Sequence, residues 1–541
     1  MLNYRPLTAF LVFLGVATSA WSDSAQRPNV VLIYADDISA REFPVYGSTV
    51  WSGHRGSDTT DPAARGRMPV VDRLAREGVW FANAWAATVC SPSRAMMMTG
   101  RYASTHKWWH NGDYGRVADG GKRQRDGGKR QRTVALYETS PLLIGHVAQQ
   151  AGYATLWTGK TQMKSADLQR FGFDEGVFTP GYFPHLPPNQ HTDFHLVPQG
   201  AYGKSKLIDK DTGKEVQSYG QMSWYWQPAV ALMNHPGSDE PFEWWPNTAA
   251  SRAGYGLHTY GPDVEIDLTL DFIDRQHAAG KPFFVYHTTH LGHDAYDWLR
   301  PDSTDKWPGT PILHWDGEAY SRTEPRVTGD RGEYDTHGTV TPPGMKSHLE
   351  YLDYTVWLYL RKLEELGQLD NTILILAADN GTSGYGKTIH DRQRGCHVPL
   401  IVSAPGAQLT KRGRLDQVAS MADLLPTLAD LVGTRIPADY ELDGRSLWPL
   451  LTTGTDTHRD WTYAYKSERQ LIRGQRVMRD GNARWWDVSE EPDDLIDFAP
   501  IKDWQTVSPA HRAERTRLES VLPGYDNYAT EHDPPAGSLS E

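Results

Sequence analysis

Four short, nearly continuous apolar runs constrain this chain more than any other feature: NVVLIYA (29–35), YATLWTG (153–159), PFFVYHTT (282–289) and TILILAA (372–378). Each is rich in β-branched and aromatic residues and lacks the alternation of a half-exposed strand. That is how a strand reads when helices cover both faces of its sheet. Helical patterns fall between them, VVDRLAREGV, LLIGHVAQQAG and HLEYLDYTVWLYLRKLEELG, the last with a glycine stop at Gly367. Strands alternating with helices predict an α/β fold with a mostly parallel sheet between helices.

In such folds ligands bind beyond the carboxyl ends of the strands. Here the four runs are followed by Asp36-Asp37, Lys160, His290 and Asp379-Asn380. Adjacent carboxylates repel one another unless a cation neutralises them. Asp36, Asp37, Asp379 and the amide oxygen of Asn380 form an all-oxygen set, which selects a hard cation, calcium or magnesium, over zinc. Acids that merely shape turns account for one such pair but poorly for both.

At 541 residues the chain exceeds the usual size of a single hydrophobic core, so two domains are expected. Arg5, the stretch LTAFLVFLGVA and the small residues Thr18 and Ala20 read as a signal peptide over 1–20, placing the mature protein in the periplasm or outside the cell. That stretch is too short to span a bilayer comfortably, and no other run reaches the roughly 18 apolar residues a span requires. The reading is a catalytic domain over 27–454, then a C-terminal subdomain and tail over 455–541. In the latter the texture shifts to WTYAYKS, RQLIRG, QRVMRDG and ARWWDV. A net charge of −12 argues against a nucleic-acid partner.

The chain has two cysteines, Cys90 and Cys396, and the first opens the segment CSPSRAMMMTGR (90–101). Pro92 suits the first turn of a helix and Gly100 its far end. Cys90 then sits at a helix N-terminus, where free amides and the dipole favour anions. Cys396 reads as a buried thiol; a Cys90–Cys396 disulfide is the rival. The C-x-P-S-R core with its downstream T-G-R resembles the signature of the type I sulfatases, in the alkaline-phosphatase-like superfamily. The C-terminal stretch likewise resembles their small antiparallel-sheet subdomain.

The resemblance implies that a dedicated maturation system converts Cys90 to formylglycine and that Arg94 steadies that group. It implies calcium held by Asp36, Asp37, residue 90, Asp379 and Asn380. It implies sulfate contacts from Lys160 and Lys387 and protonation of the leaving alcohol by His290, an assignment for which His287 and His293 compete. Two departures stand out. Gln162 replaces the family's histidine two places after Lys160, with His106 and His110 as nearby substitutes. QRGCHVP (393–399) replaces the family's E-G-G-x-R-V-P.

The implied function is hydrolysis of a sulfuric ester, with a sulfated poly- or oligosaccharide as the substrate class. Alternatives are a small aryl or alkyl sulfate, a phosphonate monoester or phosphodiester, and non-catalytic polyanion binding. Aromatic residues within 180–262 (Trp224, Tyr225, Trp226, Trp244, Trp245) serve either sugar stacking or packing. The repeat GGKRQRDGGKRQR (120–132) is either a solvated loop or a basic lip for a polyanion.

Overall fold

The computed structural model describes residues 27–53, 56–111, 134–163, 167–179, 194–198, 205–209, 215–216, 225, 229–254, 259–293, 295, 310–323 and 345–528. The expected signal peptide, the basic repeat, Trp224, Trp226 and the closing residues lie outside this set.

A ten-stranded sheet forms the frame. Along the chain its strands are β1 (Asn29–Ala35), β2 (Val79–Trp85), β3 (Ala154–Gly159), β4 (Glu175–Phe178), β5 (Val230–Met233) and β6 (Phe242–Trp245). They continue with β7 (Phe283–Thr288), β8 (Thr372–Ala378), β9 (Leu400–Ser403) and β10 (Gly413–Ser420). The spatial order is β6-β5-β4-β3-β7-β1-β8-β9-β2-β10. Only β5 and β9 run against the rest. The four apolar runs are the central strands β3, β7, β1 and β8, and every residue of these strands is buried. This is the expected α/β architecture.

Four helices matter for the site: α1 (Pro69–Glu77), α2 (Cys90–Thr99), α3 (Gly261–Ala278) and α4 (Met345–Glu365). Helix α2 carries Pro92 in its first turn and ends on Gly100, whose φ is +66° and whose N–H donates to Met96 O. Gly367, also left-handed at φ +63°, follows α4 as expected. Helix α1 leads into β2 and α4 into β8, two strands of the same direction. The N-termini of both helices therefore lie at the edge where the strands end.

A separate antiparallel sheet is built from β11 (Thr462–Lys466), β12 (Arg469–Arg473), β13 (Val477–Arg479), β14 (Trp485–Asp487) and β15 (Ala499–Pro500). It braces the start of α2. Thr88 N–H donates to Tyr465 O, and Tyr465 Oη donates to Pro92 O at 3.3 Å. Trp244 and Trp245, on edge strand β6, are half-buried and packed against the core. No helix among the described residues is long and apolar enough to cross a membrane.

Candidate active site

The strand ends converge. Asp36 and Asp37 leave β1, Lys160 leaves β3, His290 follows β7, and Asp379 and Asn380 leave β8. Asp36, Asp37, Arg94, Lys160, His290, Asp379 and Asn380 are all buried. One ligand atom each from Asp36, Asp37, Cys90 and His293 lies within 4.8 Å of the others. Cys90 Sγ is 3.5 Å from Asp37 Oδ1, and burial pushes its thiol pKa up. Cys396 is the other free thiol, buried with Trp85 and Leu471 and donating to Gln393 O at 3.7 Å.

Three cations face the three carboxylates. Lys160 Nζ pairs with Asp36 Oδ2. Lys387 Nζ lies 2.6 Å from Asp37 Oδ2. Arg94 Nη2 lies 2.7 Å from Asp379 Oδ2 and 3.4 Å from Asp36 Oδ1. Burial would raise the Asp36 carboxyl, but Lys160, His293 and Arg94 together hold it well below the usual range. Burial and the neighbouring Asp36 instead push Asp379 up to about 7, with Arg94 working against them.

The oxygens present fit a hard cation. Asn380 Nδ2 donates to Asp37 Oδ1 at 2.8 Å, so its amide oxygen points the other way. That Oδ1 and Asp36 Oδ1 are buried and accept no hydrogen bond among the described residues. Asp36 Oδ1 has Arg94 Nη2 beside it at 3.4 Å; buried oxygens that accept no hydrogen bond, next to carboxylates, match the ligand chemistry of calcium or magnesium. Asp379 and Asp37 have both oxygens engaged: Asp379 Oδ1 accepts the Asp37 N–H at 3.0 Å and Oδ2 takes Arg94, while Asp37 Oδ1 accepts from Asn380 and Oδ2 takes Lys387.

The three competing histidines separate cleanly. His287 is buried between Tyr359 Oη (2.9 Å) and Glu265 Oε2 (3.3 Å). His290 is buried too, its Nε2 bonded to the Thr179 carbonyl and its Nδ1 4.0 Å from Asp36 Oδ2. His293 is 13% exposed and reaches the mouth, with Nε2 2.9 Å from Lys387 Nζ and 3.7 Å from Asp37 Oδ2. The sequence reading put His290 ahead of His293; of the two, His293 is the one that joins Asp36, Asp37 and Cys90 within 4.8 Å.

The loop that carries these histidines is tied down from several sides. Tyr225 Oη donates to His290 O at 2.7 Å and to His293 O at 2.9 Å, so this member of the aromatic stretch anchors the loop. Gly292 N–H donates to His348 Nδ1 on α4 at 2.9 Å. Gly292 has φ +104°, and a Cβ there would stand 2.1 Å from Asp36 O, so glycine is required.

Of the substitutes for the missing histidine, His106 is a satisfied core residue. It accepts from Trp108 N–H at 3.0 Å and meets Tyr465 Oη at 2.9 Å. Beside His110, Asn111 accepts from Ser91 N–H at the start of α2 at 3.0 Å. Gln162 itself adopts a left-handed conformation, φ +47°, with a buried Oε1 that accepts no hydrogen bond among the described residues. Ser383, which the sequence reading missed, donates to Asp37 Oδ2 at 3.0 Å.

Comparison with known proteins places this geometry. The family model described as Sulfatase matches residues 28–434. The chain is 24% identical over 519 residues to an N-acetylglucosamine-6-O-sulfatase of Bacteroides thetaiotaomicron, covering 87% of this chain and 81% of that protein. It is 27% identical over 491 residues to arylsulfatase A of Bos taurus, covering 86% and 76%. Among solved structures, Ps i-CgsB in complex with k-i-k-neocarrahexaose matches with TM-score 0.56 at 19% identity, covering 93% of each chain. BT4656 in complex with its substrate D-glucosamine-2-N,6-O-disulfate matches with TM-score 0.53 at 17% identity, covering 93% of this chain and 99% of the other. The structural likenesses show the shared fold, and the family match spans most of the strands and every residue group of the site. The chain belongs to the sulfatase family, enzymes that hydrolyse sulfate esters.

Proposed function

We propose that this sulfatase removes sulfate from a sulfated carbohydrate, using a formylglycine made from Cys90 and a resident calcium ion. The observation that carries the reading is the meeting of Cys90, Asp36, Asp37 and His293 within 4.8 Å, flanked by Lys160 and Lys387. Asp36, Asp37, Asp379, Asn380 and residue 90 would hold the calcium. When bound, the ion supplies positive charge that polarises the sulfate group and offsets charge developing on it. The formylglycine supplies the oxygen nucleophile that a buried thiol with a raised pKa cannot.

The chain's own residues do the rest. Lys160 and Lys387, compact ammonium groups on opposite sides of the acidic cluster, bind and orient the tetrahedral anion. Arg94, held by Asp379 and Asp36, fixes the start of α2 and with it residue 90. His293 Nε2, at the mouth beside Lys387, is the atom placed to pass a proton to the departing alcohol oxygen. His290, sealed behind the site, keeps Asp36 and Lys160 in place. Burial of the cluster excludes bulk water and strengthens each of these interactions.

The carbohydrate reading draws support from the relatives, several of which are named for 6-O-sulfated amino sugars. The N-terminal apolar stretch supports export, and active protein requires co-expression of a formylglycine-generating system. We read 27–454 as the catalytic domain and 455–541 as the subdomain that braces Cys90. The test is sulfate release from defined 6-O-sulfated amino sugars and from matched phosphate esters. Release of sulfate alone supports the reading; turnover of the phosphate esters in preference to the sulfates overturns it.

A further inference from the structure

Two neighbouring cavities open where α1 and α4 begin, at the sheet edge that carries the active site. One, of about 310 Å³, is lined by Arg65, Arg67, Trp315 and Tyr320 among others. The second, of about 440 Å³, shares Arg65 and Arg67 and adds Trp51 and Lys346. Arg65 and Arg67 line both cavities, with Lys346 beside them in the second and the partly buried rings of Trp315 and Tyr320 in the first, while Trp51 is buried under Arg65. A route through named contacts joins this cleft to the catalytic loop. Gly292, next to His293, bonds His348 on α4, and Lys346, two residues earlier, donates to Arg65 O at 3.2 Å.

The rings and charges are held ready. Arg65 donates to Ser48 O at 2.7 Å and lies over the Trp51 ring, 4.3 Å from its centroid. Trp315 and Tyr320, from the two strands of the hairpin Ile312–Trp315 and Tyr320–Thr323, pack with centroids 4.8 Å apart. Arg67 is exposed. The cleft also contains two acids. Glu350 is spent on Lys346 (3.2 Å) and the Arg67 N–H (3.3 Å). Burial pushes the other, Asp72, up to about 6.

We propose that this cleft is a second binding site of the enzyme, one that grips a sulfated saccharide chain away from the scissile sulfate. Aromatic faces suit the apolar faces of sugar rings, and guanidinium and ammonium groups suit sulfate oxygens. Three cations against Asp72 and Glu350 leave one positive charge in excess on a chain of net charge −12, and that favours an anionic polymer over a neutral one. The proposal rests on the carbohydrate reading above, and it adds that chain length matters: a polymer engages both sites, a monosaccharide only the catalytic one.

The test compares wild type with R67E/K346E and with W315A in affinity gels containing heparin, ι-carrageenan or chondroitin sulfate, and in the same polymers after desulfation. Sulfate release from a 6-O-sulfated monosaccharide, run in parallel, reports that each variant is folded and active. The expected result is retardation of wild type by at least one sulfated polymer and not by its desulfated form. R67E/K346E should bind that polymer about 10-fold more weakly, while its monosaccharide turnover stays unchanged. Equal retardation of wild type and R67E/K346E overturns the proposal, as does absence of retardation by any sulfated polymer. If instead wild type releases no sulfate from any carbohydrate, the substrate reading itself fails, whatever the gels report.

Discussion

Lys387 Nζ lies 2.9 Å from His293 Nε2, and both groups face Asp37. The pair brings together residues 94 positions apart, from the loop after β7 and the loop after β8. It places an imidazole and an ammonium, both partly exposed, beside the buried carboxylate of Asp37. If His293 delivers the proton, H293N will lower kcat by about 100- to 1000-fold on sugar sulfates, whose leaving alcohols need protonation. It will have far less effect on nitrophenyl sulfate, whose leaving group does not. H290N, by contrast, should impair both substrates alike. The measurement is kcat for each variant on both; equal losses with H293N would remove His293 from the proton-donating role.

Gly292 is the tightest point of the histidine loop. Its left-handed φ and the 2.1 Å approach of a built Cβ to Asp36 O mean that G292A must displace either the loop or Asp36. The expected outcome is loss of at least about 100-fold in kcat/KM, since misplacement by an ångström at a reacting centre costs that much. Far-ultraviolet dichroism should change little, because the affected loop lies outside every strand and helix. Wild-type activity in G292A would mean that the loop is slack.

The buried oxygens of Asp36 and Asn380 that accept no hydrogen bond among the described residues predict dependence on a hard cation. Prolonged chelation should abolish sulfate release, calcium should restore it, and zinc should not. D36N and N380A should shift the calcium concentration needed for half-restoration upward by at least 10-fold, a loss of about 1.4 kcal/mol or more. Full activity after exhaustive chelation would contradict the metal assignment.

Two buried histidines away from the site set an acid limit on stability. Burial depresses His106 and His397 to about 3; Nδ1 of His106 accepts from Trp108 N–H and Nδ1 of His397 meets the Gln393 amide Nε2, contacts that suit the neutral ring. Unfolded histidine takes up a proton near 6.5, so the unfolded chain binds more protons below that pH. The stabilisation is therefore complete above about pH 6.5 and is lost as pH falls toward 3. Each residue should remove about 2 kcal/mol by pH 5. Urea midpoints measured between pH 7 and 5 should fall steeply for wild type and less steeply for H106Q or H397Q. Parallel slopes would mean that other groups govern the acid transition.

The central strands were legible because total burial leaves an unbroken apolar run, and their polar C-terminal residues followed directly. The shorter strands were not. LIVS of β9 is only four residues long, and β2 (VWFANAW) interrupts its apolar run with Asn83. Asp36, Asp37, Cys90, Arg94, Asp379 and Asn380 could be picked from local motifs, and the structure brings them together. The sequence reading chose His290 over His287 and His293 with no local pattern to rank them, because three histidines within seven residues differ only in where the loop turns, and Gly292 makes that turn. Ser383 and Tyr225 reach the site through tertiary contacts that leave no local pattern. A glycine directly before a histidine, beyond a buried strand, is the local signal that sets His293 apart.

The central claim is that residue 90, as a modified cysteine, performs sulfate-ester hydrolysis. The most direct measurement pairs a mass determination of the peptide carrying residue 90 with sulfate release by the same preparation, made with and without a formylglycine-generating system. The account predicts that sulfur at residue 90 is replaced by a carbonyl oxygen, that activity scales with the converted fraction, and that C90A is silent. Sulfate release by fully unconverted protein or by C90A would contradict it.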